Sequence, residues 1–301
     1  PYERLLATIL SAEQEIFLYV SIGLGIAAVA GGRSVYRKMP TKPSREAAIA
    51  GAVLGTQAVI LSAIYLWFRA GDAEIFTRNL LRFERLEGLG SAFVTGAKNT
   101  LILAISGELL GIVIGLFLSM LIISKRRVVR APARLYINFF RGTPLLWQLI
   151  FGSAVLVVGF GLFGRDPFMI AIIIIGLNAG AYVAEIFRAG FQSVDRGQIE
   201  AARSLGMSYL QAMRYAILPQ AFRRVIPPLT NEFVILIKDT SLLFVLGVAA
   251  SERELTTFAR DAVTTNQDSS PLLAAAVLYL IITLPLTRLI ARLERRTQRA
   301  R

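Results

Sequence analysis

The sequence predicts an all-α fold, a polytopic bundle of membrane-spanning helices. Three observations point there. The 301 residues are 55% apolar with a mean hydropathy of +0.59, more apolar than a soluble domain of this size. Seven apolar stretches are long enough, or nearly so, to cross about 30 Å of hydrocarbon at about 1.5 Å per residue. The loops between those stretches alternate between basic and non-basic, the pattern that sets orientation in a bilayer.

The first stretch, residues 16–30, is short, and the second, 47–68, is clear. Residues 72–90 do not form a span. Their apolar members Ile75, Leu80, Leu81, Phe83, Leu86 and Leu89 alternate with charges at roughly helical spacing, which suits the outer interface. The third stretch is 100–123, the fourth 145–163, the fifth 168–187, the sixth 225–248 and the seventh 271–290. No polar region is long enough to fold as a soluble domain of its own.

Loop charge orients these spans. Arg33, Arg37, Lys38, Lys42 and Arg45 follow the first stretch, and Lys125, Arg126, Arg127, Arg130, Arg134 and Arg141 follow the third. Arg188, Arg196, Arg203, Arg214, Arg223 and Arg224 follow the fifth, and Arg288, Arg292, Arg295, Arg296, Arg299 and Arg301 close the chain. The opposite side carries Glu3, Glu13, Glu15, a balanced 72–87 segment, Arg165 and Asp166, and an acidic-leaning 251–268. This predicts an N-terminus outside, and a C-terminus and a 199–219 segment in the cytoplasm.

Composition excludes several chemistries. The chain has no cysteine and no histidine, so it has no disulfide framework and no thiolate or imidazole metal ligand. The commonest general base and nucleophile are also missing. The net charge of +13 would suggest nucleic acid in a soluble protein. Here the basic residues gather beside apolar segments, so membrane orientation explains them and no nucleic-acid partner is expected. No Gly-x-x-x-x-Gly-Lys-Ser/Thr phosphate loop occurs, so any nucleotide chemistry belongs to a partner.

Residues 199–219 are too charged to cross a bilayer and too well patterned to be a slack loop. Asp195 and Gln198 stand three apart, as N-cap and N3 of a capping box do. Gly206 offers a left-handed stop for the helix that follows. Ser208 and Gln211 repeat the box and open a second short helix that should end at or near Pro219. Two capped helices meeting at a glycine make a rigid knob that a partner outside the membrane can grip. Glu200 supplies a carboxylate to fix register, and Ala201 and Ala202 are small enough for close docking.

At these residues the chain resembles a known family. Glu200-Ala-Ala, the following Gly206 and the distal Leu218-Pro219 resemble the EAA signature of permease subunits of ABC importers. Ala216 departs slightly from a pattern that often has an aliphatic residue there. Arg141-Gly-Thr-Pro-Leu-Leu, Ala181-Tyr-Val-Ala-Glu-Ile-Phe-Arg-Ala-Gly, Leu218-Pro-Gln-Ala-Phe-Arg-Arg and Lys238-Asp-Thr-Ser-Leu are similar to the polar amino acid uptake branch. The resemblance covers about residues 91–292. It implies a type I permease core of five transmembrane helices over 91–301, with a cytoplasmic EAA coupling loop at 190–224. Residues 1–90 would then be an extension with two further transmembrane helices and an interfacial linker.

The resemblance also implies partners in a bacterial inner membrane. These are a second permease subunit, two ATP-binding ABC subunits inside and a solute-binding protein outside. The substrate would be a polar amino acid. Glu200, Ala201, Ala202, Leu205 and Gly206 would carry the coupling to the ATPase. No cofactor is expected in this chain, because ATP and Mg would be bound by the partner, and no catalysis is expected in it either.

Ionisable groups at membrane depth mark the candidate translocation path. Glu108 falls in the third stretch, Asn178 and Glu185 in the fifth, and Glu232, Lys238, Asp239 and Thr240 in the sixth. A charge there costs at least ~2.5 kcal/mol, so each should face the bundle interior or a cavity. Glu108 and Glu185 fit a structural interhelical bond as well as a functional role. Lys238 and Asp239 diverge by about 100° on a helix and need separate partners. With Thr240 they suit a path for a substrate carrying both an ammonium and a carboxylate.

Arg141-Gly-Thr-Pro reads as the cytoplasmic mouth of the fourth span, with Pro144 in a first helical turn and Arg141 an architectural, snorkelling side chain. Gly107, Gly111 and Gly115, and likewise Gly176 and Gly180, fall at the spacing of helix packing seams. Two rivals to the importer remain. An ion-coupled secondary transporter would use the buried Glu and Asp groups and would need no cytoplasmic knob. A membrane enzyme would have to work without His or Cys.

Overall fold

The computed structural model describes residues 42–70, 82–161 and 166–299, with isolated positions between 16 and 36. About half of the first predicted stretch (16–30), and the interfacial segment from 71 to 81, lie outside the described residues. The described residues are helical and contain no strand, so the fold is all-α. The chain divides into two compact units, Pro1–Arg82 and Phe83–Arg301.

In the first unit, α1 spans Lys42–Ala70 and matches the second predicted stretch. The second unit opens with a short 3-10 turn at Phe83–Leu86. It continues with α2 (Gly90–Ile123), α3 (Arg127–Gly142), α4 (Leu145–Ala154, extended by a π turn at Val155–Gly159) and α5 (Pro167–Gln192). Two short helices follow, α6 (Arg196–Ser204) and α7 (Tyr209–Ala212), and a π turn at Met213–Ile217 leads into α8 (Leu218–Asp239). After a 3-10 segment at Thr240–Leu246 come α9 (Leu255–Asn266) and α10 (Ser270–Arg299).

Four described helices, α1, α2, α5 and α10, are long and apolar enough to cross a membrane. The bent pair α3 and α4 makes a fifth if it is one broken span. This departs from the sequence expectation at two places. The fourth predicted span does not stand alone: α3, taken above for a basic loop, packs Ala133 and Ile137 against Leu118 of α2 and Ala181 and Ala184 of α5. The chain then turns by 110° into α4. The sixth predicted span begins earlier and ends earlier, as α8. Its Arg223, Arg224, Glu232, Lys238 and Asp239 keep it from the apolarity of a span that faces lipid alone.

The centre of the bundle is the α2–α5 seam. Ideal Cβ atoms placed on Gly107, Gly111 and Gly115 would lie 2.7, 2.7 and 2.6 Å from Ile175, Ala179 and Val183. Gly180 is crowded in the same way, with Ile114 2.7 Å from its Cβ position. Both residue series rise together, so the two helices run parallel and meet backbone to backbone. This is the small-residue packing that the glycine spacing predicts.

The end of the bundle away from α6 and α7 is tied by polar contacts. Glu254 is fully buried and caps α9, accepting from the Thr256 and Thr257 N–H groups at 2.6 Å each and from the Tyr279 hydroxyl at 2.9 Å. The Asn99 amide donates to the Ser251 and Arg253 carbonyls at 2.9 and 3.0 Å, joining α2 to the same corner. A buried carboxylate is tolerated because its oxygens are satisfied.

Candidate translocation cavity and coupling loop

The 199–219 segment folds largely as its residues dictate. Asp195 caps α6 by accepting from the Gly197 N–H at 2.8 Å. The reciprocal half of that predicted box does not form, because the Gln198 oxygen instead accepts from the Gln220 amide at 3.3 Å. At the other end Gly206 has φ +84°. Its N–H donates to the Arg203 carbonyl at 3.0 Å, and the Met207 N–H donates to the Ala202 carbonyl at 3.2 Å. That bond pair is a Schellman stop. The Ser208–Gln211 capping box is complete, with bonds of 2.8 and 3.3 Å.

The second short helix does not end at Pro219. It widens into one π turn, in which the Leu218 N–H reaches the Met213 carbonyl, and then continues as α8 with Pro219 in its first turn. Proline lacks an N–H, and its ring crowds the carbonyl four residues back. The wide turn just before it lets the chain pass from the knob into α8 without a break. Glu200, Ala201, Leu205 and Gly206 are exposed, with Leu205 80% and Leu210 79% accessible. Ala202 is buried and faces its own chain, so its small size serves packing rather than docking. A cluster of Val194, Ile217 and Ala221 seats the knob against the end of α5 and the start of α8.

Above the knob, between α3, α5 and α8, lies a cavity of about 560 Å³. Arg141, Tyr182, Glu185, Arg188, Arg224 and Glu232 are among its lining residues. Arg188 pairs with Glu185 at 2.5 Å and also donates to Gln192, and Arg224 donates to the Ser193 carbonyl. The Arg141 guanidinium lies over the Tyr182 ring, 5.3 Å from its centroid. Tyr182 stands ten residues before Gln192, the last residue of α5, so Arg141 sits about 15 Å inside that end. Arg141 is exposed on the chain taken alone.

A polar clamp fixes the 110° bend that places Arg141. The Gln148 amide nitrogen donates to the carbonyls of Phe140 and Thr143 and to the Thr143 hydroxyl, at 2.8, 3.0 and 2.8 Å. Its oxygen accepts from Asn178 of α5 at 2.9 Å. On the other side of Arg141, the Tyr136 hydroxyl donates to the Leu177 carbonyl at 2.7 Å. Gln148→Leu removes four of these bonds, and buried interhelical bonds in membrane bundles are worth ~1–2 kcal/mol at most. We expect the purified variant to melt about 3–6 °C below the parent. An unchanged melting temperature would show that the bend does not depend on the clamp.

The family of binding-protein-dependent transport system inner membrane components matches residues 109–299. The chain belongs to this family. It is a permease subunit of the ABC importer type, a multi-pass inner-membrane component rather than a catalytic domain. It is 41% identical over 204 residues to the glutamine transport system permease protein GlnP of Escherichia coli (strain K12), covering 67% of this chain and 91% of GlnP. It is 35% identical over 240 residues to the arginine transport system permease protein ArgU of Corynebacterium glutamicum, covering 75% and 74%. A solved structure described as the crystal structure of an amino acid ABC transporter with histidines superposes with TM-score 0.60 at 36% identity, covering 68% of this chain and 94% of that one.

Within the permease, the sequence-derived path residues fall into four places. Glu185 and Glu232 line the cavity. Glu108 of α2 is 7% accessible, and one of its carboxylate oxygens has no hydrogen-bond partner among the described residues. Asn178 belongs to the clamp of the bend. Lys238, Asp239 and Thr240 stand where α8 gives way to the 3-10 segment, about 9 Å beyond Glu232 along the helix. Thr240 is buried and donates to the Ile237 carbonyl at 2.8 Å, whereas Lys238 is exposed on the chain taken alone. Sequence reasoning missed Gln148, Tyr182 and the place of Arg141 on the cavity wall. The amphipathic pattern of α3, with Ala133, Ile137 and Phe140 on one face, was the signal that could have placed them.

Proposed function

We propose that this permease carries a polar amino acid inward across the cytoplasmic membrane, driven by ATP hydrolysed in a partner subunit. One observation carries the coupling half of the proposal. The knob exposes Glu200, Ala201, Leu205 and Gly206, and through the Val194–Ile217–Ala221 cluster it is seated on α5 and α8, two of the helices that line the cavity. A push on the knob therefore reaches the cavity walls without an intervening loop. Loop charge places the knob and the C-terminus in the cytoplasm and the N-terminus outside. ATP and Mg bind the partner, and closure of the ATPase dimer switches the cavity between inward and outward access.

The relatives named for glutamine and arginine transport support an amino acid as cargo, delivered by an extracytoplasmic solute-binding protein. The cavity fits that chemistry because it presents guanidinium and carboxylate groups together. Glu108, Glu185, Glu232, Lys238, Asp239 and Thr240 mark the path, with Asn178 holding its wall. A lysine exposed at membrane depth needs water or a second subunit beside it, which suits a path shared with a second permease. Residues 1–90 form an extension to the core at 91–301.

Glu200→Arg tests the coupling claim. Glu200 is exposed, so the variant should melt with the parent. Co-purification with the cognate ATP-binding subunit should fall at least tenfold. Undiminished co-purification and uptake would remove the knob from the mechanism and favour an ion-coupled secondary transporter.

A further inference from the structure

We propose that Arg141 is the anchor for the substrate's α-carboxylate inside the cavity, an assignment that rests on the amino acid function proposed above. Three arginines line this space, and two are engaged. Arg188 is held by Glu185 and Gln192, and Arg224 by the Ser193 carbonyl. Among the described residues no carboxylate lies within ion-pair distance of Arg141. Its guanidinium lies over the Tyr182 ring, and the N–H fork of a guanidinium matches a carboxylate in a two-pronged bond.

The placement is built, not incidental. Arg141 lies between two ties to α5, the Tyr136 hydroxyl on Leu177 and the Gln148 amide on Asn178. The backbone that carries it is thereby fixed to the cavity wall, as a site that must orient a ligand requires. Arg141 is exposed on the chain taken alone, so its N–H groups are accessible to an anion that enters the cavity. Glu232 lines the same cavity from α8 and offers the opposite charge, for an ammonium. A volume of about 560 Å³ accommodates a single amino acid with water.

The test uses the assembled permease–ATPase complex in nanodiscs, without solute-binding protein, so that selectivity measured is that of the membrane cavity. The probes are L-glutamine, L-arginine and their α-carboxamides, in which the carboxylate is replaced by a neutral amide. Arg141→Gln should weaken binding of the parent amino acid at least tenfold and leave binding of its α-carboxamide unchanged. Arg141→Lys should show an intermediate loss, since an ammonium keeps the charge and lacks the fork. Equal loss for acid and amide, or no loss for either, would overturn the anchor and leave the importer function standing. If the wild-type complex, with its ATPase bound, binds none of the amino acids supplied, the amino acid function fails and the anchor fails with it.

Discussion

Valine at position 115 is expected to prevent the bundle from assembling. A Cβ there would sit 2.6 Å from Val183 Cγ1 and 2.9 Å from the Ala184 backbone nitrogen. The first neighbour is a branched side chain with little freedom, and the second is main chain of the helix that α2 must touch. Relief requires the two helices to separate along the seam that holds the core together. Overpacking of this kind costs ~3 kcal/mol, and more when backbone must move. The yield of monodisperse Gly115→Val permease should collapse in fluorescence-detected size exclusion.

Position 107 gives a graded comparison on the same seam. There the close neighbour is Ile175 Cγ2 at 2.7 Å, with the Ile175 Cβ at 3.5 Å. Gly107→Ala should therefore be destabilising alone and largely restored by Ile175→Ala, which removes the clashing methyl. Gly115→Ala should resist rescue by Val183→Ala, because the Ala184 nitrogen remains. A wild-type yield for Gly115→Val would mean that α2 and α5 do not meet as described.

The second large effect is expected at Gly206. Its φ of +84° completes the Schellman stop of α6, and a side chain in this region costs about 1–2 kcal/mol. Gly206→Asp adds a charge beside the exposed Leu205 as well as the strain. The knob is small and exposed, so the bundle should keep its melting temperature while the angle between α6 and α7 is lost. ATP-dependent uptake should fall by at least tenfold, and stimulation of the ATPase by loaded binding protein should disappear. Gly206→Asn, which tolerates the left-handed region better than other residues, should retain part of both. If Gly206→Asp transports normally, the glycine stop is not part of the coupling device.

Those two positions were legible from sequence because each rests on local chemistry. Glycines four apart in an apolar helix admit few readings besides a seam, and a glycine closing a capped helix admits few besides a stop. Ser208 and Gln211 formed their box for the same reason. Elements that depended on a distant partner were harder to see. Gln198 had the spacing of a box partner, yet Gln220, 22 residues away, took its oxygen. Pro219 marked a helix end by the usual rule, but the π turn before it let the helix continue.

The candidate site was half legible. Glu185 and Glu232 stood out as charges in apolar runs and do line the cavity. Arg141 stood among other basic residues at a predicted loop, where the charge count that orients the spans also disguised it. Only the packing of Ala133 and Ile137 on α2 and α5, and the turn held by Gln148, bring it to the cavity wall. No local pattern encodes that placement.

The most direct test of the account is uptake by the permease reconstituted in proteoliposomes with its ATP-binding subunit and solute-binding protein, using labelled glutamine and arginine. Accumulation of one of them should require ATP inside the knob-facing compartment and binding protein on the opposite face, and should ignore proton and sodium gradients. Uptake driven by either gradient without ATP would contradict it.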